Sequence, residues 1–115
     1  DCKVGIGTVS PSMTLEVAKL AQKADLPVTL HSANLSLVTL FSAHIMGSIP
    51  NAGKYLEFSI EGLDYYPWQD NIFTPNFEIV NGHLQMPHKA GWGIEINPEW
   101  LSQSNYQVSY TGSRF

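Results

Sequence analysis

The sequence predicts an α/β fold in which short strands and helices alternate along the chain. Residues 27–30 form an apolar, β-branched run that ends at His31, and a helical pattern follows at 36–46. Another helical pattern precedes this run at 10–24, and another strand-like run follows at 54–59. Because only a few residues connect these elements, the pattern indicates parallel strands joined by right-handed crossovers.

The first helix is predicted by its start signal and by its apolar stripe. Residues 1–7 have the pattern of a strand end that runs into a glycine-containing turn. Ser10 and Pro11 then supply a capping hydroxyl and a first-turn proline. Apolar residues recur after them at helical spacing and are expected to face the core: Met13, Val17, Leu20, Ala21 and Ala24.

The second helix is predicted to end before the third strand begins. Its apolar side is formed by Leu37, Leu40, Phe41, His44 and Ile45. Since His44 lies on this side, we interpret it as a packing residue. Gly47 and Pro50 follow in the order typical of a helix C-terminus.

The second half of the chain differs from the first in composition and pattern. Residues 60–76 contain two prolines and several aromatic residues, which predicts an irregular excursion. A hairpin across Asn81-Gly82, a short strand and a capped helical turn are then predicted at 77–86, 94–96 and 97–101. Residues 102–115 are polar and weakly patterned, and we expect them to form a loose tail.

Composition excludes several classes of function. The chain has 115 residues, enough for one domain, and its net charge of −4 without a basic stripe argues against nucleic acid as a partner. No apolar run is long enough to cross a membrane. A single cysteine leaves no internal disulfide and no cysteine zinc cluster, and is compatible with a reducing compartment, so we expect a cytoplasmic protein.

Three titratable residues are predicted to lie at the carboxyl ends of successive strands. They are Asp1, His31 and Glu57. Neighbouring parallel strands are roughly 4.8 Å apart, so side chains at adjacent ends can meet. A carboxylate beside an imidazole fixes its tautomer, which suits a general base, and a second carboxylic acid can donate a hydrogen bond to charge that develops on a substrate.

The order and spacing of several motifs resemble the closing third of an enolase-superfamily barrel, of the mandelate racemase and muconate lactonizing enzyme type. The acid-sugar dehydratases of that branch are the most similar. The resemblance covers about residues 1–101 and rests on Asp-x-Lys-Val-Gly-x-Gly, Leu-Pro-Val-x-x-His-Ser, Tyr-Leu-Glu, Asn-Gly-His-Leu-x-Met-Pro and Gly-x-Gly-Ile-Glu. It implies the C-terminal portion of a (β/α)-barrel followed by a small β-hairpin extension, in a fragment of a larger chain. Residues 60–101 would then include the return toward the amino-terminal capping domain.

The same resemblance assigns roles to the three strand-end residues. His31 matches the histidine of a His-Asp base dyad, and Glu57 matches the eighth-strand glutamate, which is an electrophilic partner. Asp1 matches the dyad aspartate. Because Gly5 and Gly7 are separated here by one residue, a shift of register would instead place that aspartate before residue 1.

The implied activity is magnesium-dependent abstraction of the proton α to a carboxylate. Loss of a β-hydroxyl would make the intact enzyme an acid-sugar dehydratase, and reprotonation on the other face would make it a racemase or epimerase. The family's acidic magnesium ligands and its capping domain are not in this chain, so we expect it to be inactive alone. We expect the intact protein to bind a small carboxylate substrate and to form a homo-oligomer.

A function of another class is open on the same residues. Trp68, Trp92 and Trp100 offer aromatic surface that a non-catalytic carbohydrate- or partner-binding module would use. The alternative is that they cover core that an incomplete barrel exposes. We expect His31 and Glu57 at one set of strand ends if the enzyme hypothesis is right, and tryptophans that share an exposed face if the binding hypothesis is right.

Overall fold

A computed structural model describes residues 10–32, 36–67 and 71–108. Three helices and four two-residue strands follow one another in this part of the chain. They are α1 (Pro11–Lys23), α2 (Leu37–Ser48), β1 (Phe73–Thr74), β2 (Ile79–Val80), β3 (His83–Leu84), β4 (Glu95–Ile96) and α3 (Pro98–Gln103). None of these helices has the length and apolar character needed to span a bilayer.

All three predicted helices are confirmed, and each begins at a side-chain cap. The Ser10 hydroxyl accepts a hydrogen bond from the backbone N–H of Met13, and Asn97 accepts one in the same way from Glu99. Ser36 caps α2, which continues through Gly47 to Ser48 and is therefore slightly longer than predicted. Local sequence is sufficient for these starts because a cap and its partner lie within one turn.

The predicted parallel pairing is present, but it is much shorter than predicted. Val28 and Ala52 form a parallel bridge in which the Val28 N–H donates to the Asn51 carbonyl at 2.8 Å and the Gly53 N–H donates to the Val28 carbonyl at 2.7 Å. Residues 54–59 form no strand, contrary to the prediction. A parallel ladder of only two segments gains little stability from its hydrogen bonds. Within the described residues no third segment pairs with this one.

The apolar stripe predicted for α1 does not become the buried face. Thr14 and Ala18 are the buried residues of this helix, whereas Met13 and Leu20 are exposed. The reason is the close approach of Asn51, whose side-chain amide donates to the Ala18 and Leu26 carbonyls at 3.0 Å each. Ala18, whose carbonyl accepts from that amide, is a small residue.

The predicted hairpin is confirmed, and the short strand predicted at 94–96 pairs with a strand that was not predicted. β2 and β3 pair antiparallel across Asn81 and Gly82, whose φ angles of +51° and +76° fit the tight turn that an Asn-Gly pair favours. β4 pairs antiparallel with β1, which falls inside the excursion predicted to be irregular. The partners in this second pair are distant in sequence, so no local signal marked β1.

Buried side chains collect around α2 and around β1. Leu40, Ala43 and Phe73 are almost completely enclosed. The Trp92 ring lies 4.5 Å from that of Phe41, and His44 packs against its edge while the His44 Nε2 lies 2.9 Å from the Trp92 carbonyl oxygen. The packing role predicted for His44 is therefore confirmed, and Trp92 joins the 91–93 loop to α2 with about half of its surface exposed.

Candidate active site

The parallel bridge brings His31 and Glu57 into direct contact. His31 follows Val28 by three residues and Glu57 follows Ala52 by five, so both lie at the carboxyl end of the paired segments. The Nδ1 atom of His31 is 2.6 Å from Oε2 of Glu57. The imidazole is largely exposed and the carboxylate about half exposed, so the pair opens toward solvent. Two of the three predicted site residues are thus adjacent.

The same carboxylate oxygen also accepts a backbone hydrogen bond. The Ser32 N–H donates to Glu57 Oε2 at 2.7 Å. This hydrogen bond is the main reason that the pKa of Glu57 lies below its ordinary value; partial burial opposes it, and the His31 contact adds to it. Glu57 is therefore an ionised carboxylate at neutral pH in this arrangement.

The geometry determines which imidazole nitrogen is available for chemistry. When neutral His31 donates from Nδ1 to Glu57, its Nε2 carries the lone pair. A carboxylate that holds the tautomer in this way also stabilises the imidazolium that forms when Nε2 accepts a proton. The pair can therefore act as a general base toward an acidic C–H or O–H group of a ligand.

Two groups near the pair were missed from the sequence. Glu61 lies close enough for its charge to raise the pKa of Glu57, and its own pKa is lowered chiefly by a hydrogen bond from the Ser59 hydroxyl. Ser32 is the other. A polar residue at each second position from 57 to 61 was the available signal for Glu61, and adjacency to His31 was the signal for Ser32.

The remaining candidate residues do not join this pair. Asp1, together with Gly5 and Gly7, lies outside the described residues, as does Trp68. Within the described ranges, no three His, Cys, Asp or Glu side chains come together in a way that would hold a metal ion.

The Glu57 contact should make local stability depend on pH. Since folding lowers the pKa of Glu57, its contacts stabilise the fold above the ordinary value of 4.5, and this contribution is lost as pH falls from 4.5 through the folded-state pKa. We expect the wild type to be more stable than Glu57→Gln near neutral pH, and the difference to shrink in acid. Denaturant unfolding monitored between about pH 7 and about pH 3 measures this difference.

A matched carboxyl distinguishes this effect from general acid instability. Glu78 is exposed and lies just before β2. Glu78→Gln should follow the wild type at every pH if the Ser32 and His31 contacts are the cause. A Glu57→Gln variant whose stability differs from that of the wild type by the same amount across the whole range would contradict the assignment.

A family model and a characterised relative match most of the chain. Residues 7–100 match the family described as enolase C-terminal domain-like. D-xylonate dehydratase from Haloferax volcanii is 31% identical over 84 residues, which are 73% of this chain and 19% of the dehydratase. This chain therefore spans about a fifth of that relative.

Solved structures extend the same similarity to the fold. A Roseobacter denitrificans protein, provisionally named a racemase, is 58% identical with a TM-score of 0.75 over 84% of this chain and 26% of its own. A Burkholderia xenovorans LB400 protein, provisionally named an L-alanine-DL-glutamate epimerase and crystallised with magnesium and fumarate, is 28% identical with a TM-score of 0.68. That match covers 81% of this chain and 22% of its own.

Proposed function

Because the chain belongs to the enolase C-terminal domain-like family, we propose that it forms the C-terminal part of the barrel of an enzyme that removes the proton α to a carboxylate. Residues 1–101 would contribute the last barrel units, with 60–101 returning toward a capping domain and 102–115 as a tail. The intact protein would be a cytoplasmic homo-oligomer. Its substrate would be a small carboxylate.

The observation that supports this function is the contact between His31 and Glu57 at 2.6 Å. His31 would accept the substrate proton at Nε2 while Nδ1 stays bound to the carboxylate. Asp1, or the residue before it, would be the dyad aspartate of the preceding strand if it took the place of Glu57 at Nδ1. The Ser32 N–H keeps Glu57 ionised, which favours it as the group that orients His31. To act as an electrophilic partner, Glu57 would have to be protonated, and another group would have to supply that proton.

Dehydration of an acid sugar is the first candidate for the overall reaction. The relative that carries an established name is a D-xylonate dehydratase, an enzyme named for an acid sugar. After the α proton is removed, loss of a β-hydroxyl would give an enol that becomes a 2-keto acid. Racemisation or epimerisation is the second candidate, favoured by the names of the two solved structures.

Magnesium would stabilise the negative charge that develops on the substrate carboxylate. The Burkholderia structure contains magnesium, but the described residues here form no cluster that could bind it. The ligands would therefore be supplied by other parts of the intact protein. His31 would accept the substrate proton, and Glu57 would hold the imidazole in place.

The proposal is tested with the full-length protein, magnesium and a panel of sugar acids in deuterated water. We expect solvent deuterium in the product: at the α carbon after racemisation or epimerisation, and at the β carbon of the 2-keto acid after dehydration, where the enol is reprotonated. Formation of a 2-keto acid identifies a dehydratase, and inversion without loss of water identifies a racemase or epimerase. Sugar-acid binding with neither deuterium incorporation nor 2-keto acid formation for any member of the panel would contradict the proposal and favour the binding module.

A further inference from the structure

Two buried hydroxyl groups lie behind the His31–Glu57 pair. Ser32 is 1% exposed and Thr39 is completely buried. Their side-chain oxygens are 2.6 Å apart, a short distance for a hydrogen bond between hydroxyls. Ser32 thus uses its backbone N–H on Glu57 and its side chain on Thr39. The residue that holds the carboxylate is therefore itself held from α2.

Thr39 is also part of the start of α2. It occupies the third helical position, and its hydroxyl faces the backbone N–H of the capping residue Ser36 at 3.4 Å. Glu or Gln is the usual residue at this position of a capping box. A threonine is short enough to stay buried and to reach Ser32 as well. One hydroxyl therefore connects the first turn of the helix with the end of the parallel segment.

We propose that Thr39 is a positioning residue for the His31–Glu57 pair, acting through Ser32. The inference rests on the proposed function for its catalytic consequence, but the geometric link is independent of it. Both hydroxyls are buried, so their mutual contact lies away from bulk water and restricts the Ser32 side chain. Restricting Ser32 aims its N–H at Glu57, and Glu57 in turn orients the imidazole.

The test compares one substitution that removes the Thr39 hydroxyl with one that keeps it. Thr39→Val keeps the shape and removes the hydroxyl, whereas Thr39→Ser keeps the hydroxyl. We expect Thr39→Val to lower kcat by roughly 10- to 100-fold with a small change in KM, since misplacing a reacting group costs about this much. Thr39→Ser should restore most of the activity. Thr14→Val is the control, because Thr14 is a buried threonine of α1 whose hydroxyl donates to the Ser10 carbonyl.

A second measurement on the same full-length variants does not need activity. With glutamate labelled at the side-chain carboxyl carbon, the Glu57 resonance is identified by its absence in Glu57→Gln and followed during an acid titration. We expect the Glu57 pKa to rise toward its ordinary value in Thr39→Val, and to stay low in Thr39→Ser and Thr14→Val.

These measurements test the positioning role of Thr39 separately from the proposed function. An unchanged Glu57 titration in Thr39→Val overturns the positioning role, whatever the enzyme does. An equal loss of activity in Thr39→Val and Thr14→Val also overturns it, because that result indicates general destabilisation. A shifted Glu57 titration in a protein that exchanges no substrate proton supports the link and contradicts the proposed function alone.

Discussion

Replacing His31 with asparagine in the full-length protein is expected to lower kcat for proton exchange by roughly 10²- to 10⁴-fold, the usual contribution of a general base. The asparagine amide can still donate to Glu57, so the local hydrogen bond has a substitute. It cannot accept a proton at the position of Nε2. The loss should therefore appear in kcat, with substrate binding largely retained.

The measurement is the rate of solvent deuterium incorporation into the product of a substrate found with the wild type, at the α carbon for a racemase or epimerase and at the β carbon for a dehydratase. His83→Asn is the matched control, because His83 lies on β3 and its Nδ1 contacts the carbonyl of Asn81 rather than a site residue. It should keep the wild-type rate. If His31→Asn exchanged the proton as fast as His83→Asn, His31 would not be the base.

Replacing Gly93 with alanine is expected to destabilise the fold by roughly 2–4 kcal/mol, from backbone strain and overpacking together. Gly93 has a φ angle of +73° and is buried. A Cβ at this position would lie 2.5 Å from the Cβ of Pro87 and 3.1 Å from its carbonyl carbon. Because the carbonyl carbon of Pro87 belongs to the backbone, a side-chain rotation cannot relieve the contact, and the 91–93 loop has to move.

Gly91→Ala separates the two causes. Gly91 also has a positive φ angle, +68°, but no atom lies within 4 Å of the position of its Cβ. This variant should lose only the backbone part, about 1 kcal/mol. Chemical denaturation gives both values, and hydrogen exchange at Trp92 should report the local opening, since Trp92 packs on Phe41 beside Gly93. Equal losses for the two variants would show that the contact with Pro87 costs nothing.

Elements whose signals lie within a few residues were predictable from the sequence. Ser10, Ser36 and Asn97 each cap a helix that the structure contains. The Asn81-Gly82 turn likewise sits between two paired strands. In all of these cases the donor and its acceptor are close in sequence, so a short stretch determines the geometry.

Elements that depend on distant partners were predicted less well. The strand expected at 54–59 is absent, the parallel pairing is limited to the bridge between Val28 and Ala52, and β1 was not expected at all. The stripe that includes Met13 and Leu20 does not face the described core. Which face of a helix is buried depends on what approaches it, and here the Asn51 side chain approaches Ala18.

The sequence alone determined where the helices start and where the hairpin turns, and it indicated that His31 and Glu57 lie at two strand-like segments that neighbour each other. The tertiary structure decided that the two side chains touch, that the Ser32 N–H shares the Glu57 oxygen, and that Thr39 supports Ser32 from α2. Caps and turns are stabilised by neighbours along the chain. A hydrogen bond between residues 25 positions apart exists only after the intervening helix has packed and aligned both segments.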